Sequence, residues 1–247
     1  MIGLCSVTFR DKSVEEVIQL AKQAELEVIE WGSDKHVPET DIEHAEEVAR
    51  LMREAGLSSN SYGTYYKLGA HDDFHNYLEV ANILGASTIR VWAGESGSKE
   101  TSPEMRQSII EDAKRLGALA GDAGCSISLE YHANTLTDTP ESALQLMQDI
   151  DSTNVFLYWQ PAENLSVRER IESLPALAPY ITNVHVFHWE NYHNRFPLAD
   201  AAEDWQQYID LIQKHSPHPQ DFLLEFAPGE DPVQGFLENA KTLKALV

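Results

Sequence analysis

Four side chains in this sequence could act on a small molecule together: Glu130, Gln160, His185 and Glu225. Each closes a short run rich in β-branched and aromatic residues, where an extended chain sends alternate side chains to opposite faces. In Ser126–Tyr131, Ile127 and Leu129 share one face and Ser126, Ser128 and Glu130 the other. In Tyr180–Phe187, Val184 and Val186 oppose Asn183, His185 and Phe187. In Asp221–Phe226, Leu223 and Glu225 share a face, and in Asn154–Trp159 with its next residue, Phe156, Tyr158 and Gln160 do. Two carboxylates, an amide carbonyl and one imidazole suit Mn²⁺, Mg²⁺ or Co²⁺, with Zn²⁺ as a further option; a thiolate-rich zinc site would look different. Carboxylates brought together without a cation would repel and shift each other's pKa. For each residue alone, the competing reading is a polar group at a strand end bonded to a loop.

Such residues meet only if the elements carrying them lie side by side. Eight extended runs alternate with helical stretches: Ile2–Phe9, Glu27–Trp31, Leu57–Tyr62, Ser87–Trp92, Ser126–Tyr131, Asn154–Trp159, Tyr180–Phe187 and Asp221–Phe226. Several helix starts are marked. Ser13-Val14-Glu15-Glu16, Thr40-Asp41-Ile42-Glu43 and Ser166-Val167-Arg168-Glu169 read as capping boxes, and Ser102-Pro103, Thr139-Pro140 and Asp231-Pro232 place a cap before a first-turn proline. Regular strand–helix alternation implies a parallel sheet. Eight units in 247 residues favour an α/β single (β/α)8 TIM barrel, residues 1–247 as one domain, over an open doubly wound sheet of about five or six strands. No G-x-G-x-x-G turn follows the first run, which argues against a dinucleotide site there. In barrels of this kind the chemistry sits at the C-terminal ends of the strands, where the four residues fall.

Bulk composition narrows the classes. Forty acidic against 18 basic residues give a formal charge of −22, which disfavours nucleic acid as a partner. No apolar run approaches the ~20 residues of a membrane span, and the first residues lack the basic and apolar regions of a signal peptide. The two cysteines, Cys5 and Cys125, read as buried reduced thiols, so a cytoplasmic location is expected.

Read in order, Ile29-Glu30-Trp31-Gly32, Arg90-Val91-Trp92-Ala93-Gly94, Leu129-Glu130-Tyr131-His132, Val184-His185-Val186 and Leu224-Glu225 resemble landmarks of the xylose-isomerase-like barrel superfamily. This is a family of sugar phosphate isomerases and epimerases that also includes a 3-dehydroshikimate dehydratase. The stretch Asn134-Thr135-Leu136-Thr137-Asp138-Thr139 looks particularly like the dehydratase. The resemblance implies a metal held by Glu130, Gln160, His185 and Glu225, with Glu130 and Glu225 as catalytic bases. It departs from the family at Gln160, where an Asp is usual, and at Phe187, where the dehydratase carries a lysine. The implied chemistry removes a proton beside a carbonyl and stabilises the enediolate that forms. Its outcome is epimerisation, aldose–ketose isomerisation or dehydration, and a barrel that binds without catalysing is the reading of another class. Expected substrate contacts come from His132, Arg90, His36, Trp92, His188 and Arg195, on a small carbohydrate. Arg90 has Glu30 or Glu130 as alternative partners, and His132 a capping role. Glu163 stands where relatives carry a substrate-binding His. Trp31, Tyr62 and Tyr66 serve either as pocket aromatics or as packing. The loop His188-Trp189-Glu190-Asn191-Tyr192-His193-Asn194-Arg195 reads as a lid or as an oligomer contact, and a homo-oligomer is among the expectations.

Overall fold

In the computed structural model, residues 1–190 and 193–247 are described; Asn191 and Tyr192 of the expected lid lie outside them. Eight parallel strands close into a barrel: β1 (Ile2–Cys5), β2 (Val28–Gly32), β3 (Ser61–Lys67), β4 (Thr88–Trp92), β5 (Ser126–Glu130), β6 (Val155–Trp159), β7 (Ile181–Val186) and β10 (Asp221–Leu224). Neighbours follow chain order around the ring, and β1 pairs with β10 to close it (Ile2 with Phe222, Leu4 with Leu224). Strands β8 (Trp189–Glu190) and β9 (Asn194–Arg195) form a separate antiparallel pair between β7 and the helix that follows.

The helices start where the sequence places them. Helix α1 (Val14–Gln23) and α6 (Val167–Leu177) carry complete capping boxes at Ser13 and Ser166. Ser102, Thr139 and Asp231 cap α4 (Pro103–Asp122), α5 (Pro140–Ile150) and α8 (Pro232–Leu246), each with proline in the first turn. At α2 (Ile42–Ala55) the cap is Asp41, whose carboxylate accepts from the His44 N–H; Thr40 lies outside, because Asp reaches the free amides one residue later. Helices α3 (His75–Leu84) and α7 (Ala202–His215) complete the ring.

Two strands depart most from their expected spans, and the last ends at Leu224, two residues short of Phe226. The first ends at Cys5 and turns into a 3-10 segment, Ser6–Phe9, that carries the chain over the barrel's end. The third begins at Ser61 and runs to Lys67; Leu57–Tyr62 covers only its entry. Small and hydroxyl residues hide its continuation through Gly63-Thr64, where the register with β4 shifts.

Apolar faces of strands and helices meet in one large outer core, including Leu4, Ile29, Ile89, Ile127, Leu129, Leu157, Val184 and Leu224. The lumen is different. One end is plugged by Val28, Tyr158 and Leu223, and Gly3 leaves the room they need, since a Cβ there would lie 2.4 Å from Val28 and 2.5 Å from Leu223. The rest of the interior is polar. Ser61, Arg90, Ser128, Glu130, Asn183 and His185 are all buried.

Candidate active site at the barrel mouth

Strand pleating carries the four sequence-predicted donors to one place. His185 is fully buried on β7, and its Nδ1 faces three oxygens: Gln160 Oε1 at 3.1 Å, Glu225 Oε2 at 3.4 Å and Glu130 Oε1 at 3.9 Å. Gln160 and Glu225 stand one residue beyond the ends of β6 and β10, and the Glu225 amide still donates to Val186 O at 3.1 Å. Thr8 fixes the turn that follows: its Oγ1 accepts from the Phe226 amide at 3.0 Å, holding Phe226 at a left-handed φ of 61°.

The other nitrogen of the ring, Nε2, points away from this cluster toward Glu30 Oε1, 3.5 Å distant, long for a hydrogen bond. It is buried without a hydrogen-bond partner. Glu30 also accepts from Arg90 Nε at 3.1 Å, from the Cys5 thiol at 3.2 Å, from Ser61 Oγ at 3.3 Å and from the Tyr158 hydroxyl. Arg90 spans two acids, since its Nη1 donates to Glu130 Oε2.

These contacts set the charges. Burial pushes the Glu30 carboxyl up, but Arg90 and His185 outweigh it and hold it well below the usual carboxylate range. Burial lowers His185, yet Glu225 and Glu30 more than compensate and leave it raised. Glu225 ends up raised because burial and the nearby Glu130 outweigh the attraction of His185. The Cys5 thiol is driven well up by burial first and by Glu30 second, so it remains a protonated donor.

Two carboxylates and an amide carbonyl around one imidazole nitrogen are the donor types that a hard divalent cation takes. Among the described residues, the group of three His, Cys, Asp or Glu ligand atoms that lie within 4.8 Å of one another is that of Cys5, Glu30 and His185. Arg90 Nε, 3.1 Å from Glu30 Oε1, puts positive charge against that second cluster.

The expected substrate contacts divide. His132 stacks on Trp92 with ring centroids 4.6 Å apart, and its Nδ1 bonds the Ala133 carbonyl at 2.7 Å. It borders a cavity of about 50 Å³ with Gln160, Glu163, Phe187 and Trp189. A larger cleft of about 420 Å³ adjoins it between the loops after β6 and β7, lined by Glu163, Arg170, His188 and Trp189. His188 Nδ1 meets the Pro197 carbonyl at 3.2 Å. Arg195 lies over the Phe226 ring at 4.7 Å, and Trp189 stacks on the same ring at 4.5 Å.

Arg90 takes both of the acid partners that the sequence offered it, and His36 packs away from the mouth. Arg90 is 2 % exposed and both of its acids are satisfied by it, so it braces the interior where a substrate oxygen was expected to bind. His36 is buried against Trp31, its Nε2 bonds the Lys12 carbonyl and its own carbonyl takes the His44 Nε2, which ties down the β2–α2 loop. Trp31, Tyr62 and Tyr66 belong to the outer core, with the Tyr62 hydroxyl on Val37 O at 2.7 Å. Sequence reasoning passed over Glu30 as an organiser. Its signal is a lone carboxylate inside the apolar run Val28–Gly32, on the face opposite Ile29 and Trp31.

With fold and geometry in hand, residues 18–246 match the family model described as Xylose isomerase-like TIM barrel, and the chain belongs to that family. A 3-dehydroshikimate dehydratase of Bacillus anthracis is 27 % identical over 244 residues, covering 86 % of this chain and 85 % of the relative. Among solved structures, the probable 3-DHS dehydratase of petrobactin synthesis from Bacillus anthracis superposes with a TM-score of 0.79 at 20 % identity, covering 98 % of each chain. A Xylose isomerase-like TIM barrel protein from Mycobacterium smegmatis in complex with magnesium gives 0.73 at 18 % identity, over 99 % of this chain and 96 % of the other. An L-ribulose 3-epimerase gives 0.75 at 14 % identity, over 99 % and 93 %.

Proposed function

We propose that the chain is a divalent-metal-dependent isomerase or epimerase of a small sugar or sugar derivative, with Glu130, Gln160, His185 and Glu225 holding the ion. One observation carries this reading: three oxygens from three other strands or strand ends converge on a single nitrogen of His185, at 3.1, 3.4 and 3.9 Å. The magnesium in the Mycobacterium smegmatis relative and the epimerase among the similar structures support it. When bound, the ion supplies Lewis-acid stabilisation of the charge that develops as a proton leaves the carbon beside a carbonyl.

The chain's own groups do the rest. Glu225, as one of the two bases, takes and returns the proton beside the carbonyl. Glu130 serves as the second base, with Arg90 holding one of its oxygens in place. His132 and Trp92 form a stacked polar–aromatic wall for substrate hydroxyls. His188 borders the adjoining cleft, and Arg195 and Trp189 pack on the Phe226 ring beside Glu225.

The test is C–H exchange. The metal-loaded protein, incubated with a panel of keto sugars in D₂O, is expected to exchange one C–H beside the carbonyl, and EDTA to abolish it. Absence of exchange with every sugar, together with failure to retain metal, sinks the reading in favour of a non-catalytic barrel. A second reading, a lyase that dehydrates a cyclic keto acid such as 3-dehydroshikimate, is favoured by the 27 % identical relative. It predicts loss of water and an aromatic product from that compound, with the sugars untouched.

A further inference from the structure

Glu30 lies at 0 % exposure and is surrounded by donors: the Cys5 thiol and Arg90 Nε on Oε1, Ser61 Oγ and the Tyr158 hydroxyl on Oε2. It reaches two of the four proposed ligands. His185 Nε2 lies 3.5 Å from its Oε1, and Arg90 links it to Glu130 Oε2. We propose that Glu30 is a positioning residue of the metal centre, fixing His185 through Nε2 and Glu130 through Arg90 so that His185 Nδ1 and Glu130 Oε1 are presented together to the ion. The inference rests on the metal reading above.

A histidine that holds an ion is neutral, and the argument there concerns where its one remaining ring proton sits. A neutral imidazole bares one nitrogen, and the partner that accepts the N–H decides which. Gln160 Oε1, 3.1 Å from Nδ1, competes for that proton and would leave the wrong nitrogen bare. A carboxylate is the stronger acceptor, because charge-assisted hydrogen bonds are about twice as strong as neutral ones. With the proton on Nε2 facing Glu30, the Nδ1 lone pair faces the oxygens of Gln160, Glu225 and Glu130. A carboxylate behind a ligating histidine is a recurrent device for fixing tautomer and ring orientation.

At Glu130 the argument concerns denticity. A guanidinium free to turn would grip a carboxylate with two parallel N–H bonds. Glu30 holds Arg90 by Nε, so Nη1 takes Glu130 Oε2 and Oε1 stays turned toward His185 Nδ1, 3.9 Å away. The neighbouring strand keeps this space open: a Cβ on Gly63 would lie 2.6 Å from Glu30 Oε1 and 2.7 Å from Arg90 Nη2.

The experiment loads wild type, Glu30→Gln and Glu30→Asp with Co²⁺, reading affinity by calorimetry and coordination by the visible spectrum. The His185 ring proton is followed by ¹⁵N-edited NMR of the Zn²⁺-loaded proteins. Glu30→Gln is expected to weaken Co²⁺ binding by about 10- to 100-fold, to alter the spectrum and to lose the Nε2–H signal. Glu30→Asp keeps the charge for Arg90 but withdraws the carboxylate by one methylene. It preserves the fold, checked by circular dichroism, and weakens binding by a smaller factor with the same loss of signal. Wild-type affinity, spectrum and Nε2–H signal in folded Glu30→Asp overturn the proposal. A near-ultraviolet thiolate-to-cobalt band in wild type also overturns it, because the ion would then sit on Cys5 and Glu30 themselves. Wild type that binds no Co²⁺ overturns the metal reading first and this inference with it.

Discussion

At the scale of single residues, the position that most distinguishes this site is Gln160. Its carbonyl oxygen comes nearest to His185 Nδ1, 3.1 Å, yet it contributes no charge. Glu130 is engaged with Arg90, whose positive charge offsets its own. An ion entering the mouth therefore meets less negative charge than the number of nearby acids suggests. Replacing Gln160 by Asp adds a charge one methylene nearer the backbone, and ligand charge count tunes the affinity of hard cations. The expected result is roughly tenfold tighter Mg²⁺ or Mn²⁺ binding by calorimetry. Unchanged affinity removes position 160 from the ligand set. Inward parity on each strand was enough to find this residue, along with Glu130, His185 and Glu225. Parity says nothing of His36, which lies in the loop after β2, and Tyr62 takes the packing role given as its alternative, with its hydroxyl on Val37 O. It understated Glu30, because that residue's importance lies in contacts across the lumen with strands far away in sequence.

At the scale of elements, the barrel strands were legible from β-branched runs and the helices from their caps. The third strand was read short, since Gly63 and Thr64 carry no hydrophobic signal. Gly63 has a steric reason to lack a side chain. A Cβ there would fall under 3.0 Å from both members of the Glu30–Arg90 pair, which cannot retreat because Arg90 is also held by Glu130. Gly63→Ala is thus expected to cost about 1–3 kcal/mol of stability in chemical denaturation, as overpacking does, and to weaken metal binding at the same time. A variant that loses neither shows that the lumen has slack at this level. Gly56 and Gly85, which end α2 and α3 in left-handed conformations, have open space around their missing Cβ and serve only the turn.

At the scale of the whole molecule, a formal charge of −22 surrounds the barrel. Many acids are exposed and form local pairs, such as Arg50 with Glu47 and Glu54 or Lys67 with Glu95, but 18 basic residues cannot balance 40 acidic ones. Self-repulsion of this kind opposes the compact state and is screened by salt within about 8 Å at physiological ionic strength. The melting temperature is expected to rise as NaCl is raised from about 0.01 M to about 0.15 M, where the screening length shortens from about 30 Å to about 8 Å. A fall over that range points to exposed ion pairs as the larger contribution. Among the described residues no helix is long and apolar enough to cross a membrane.

The ring closes between β1 and β10, and the site's components are distributed unevenly along the chain. Cys5, Glu30, Gly63 and Arg90, which brace the centre, all belong to the first four strands; Glu130, Gln160, His185 and Glu225, the proposed ligands, belong to the last four or follow them directly. During synthesis the scaffold therefore emerges from the ribosome before any proposed ligand does, and the donors arrive one strand at a time. A nascent chain cannot assemble the complete set of proposed donors until its final strand is made, so their meeting around His185 is a product of ring closure.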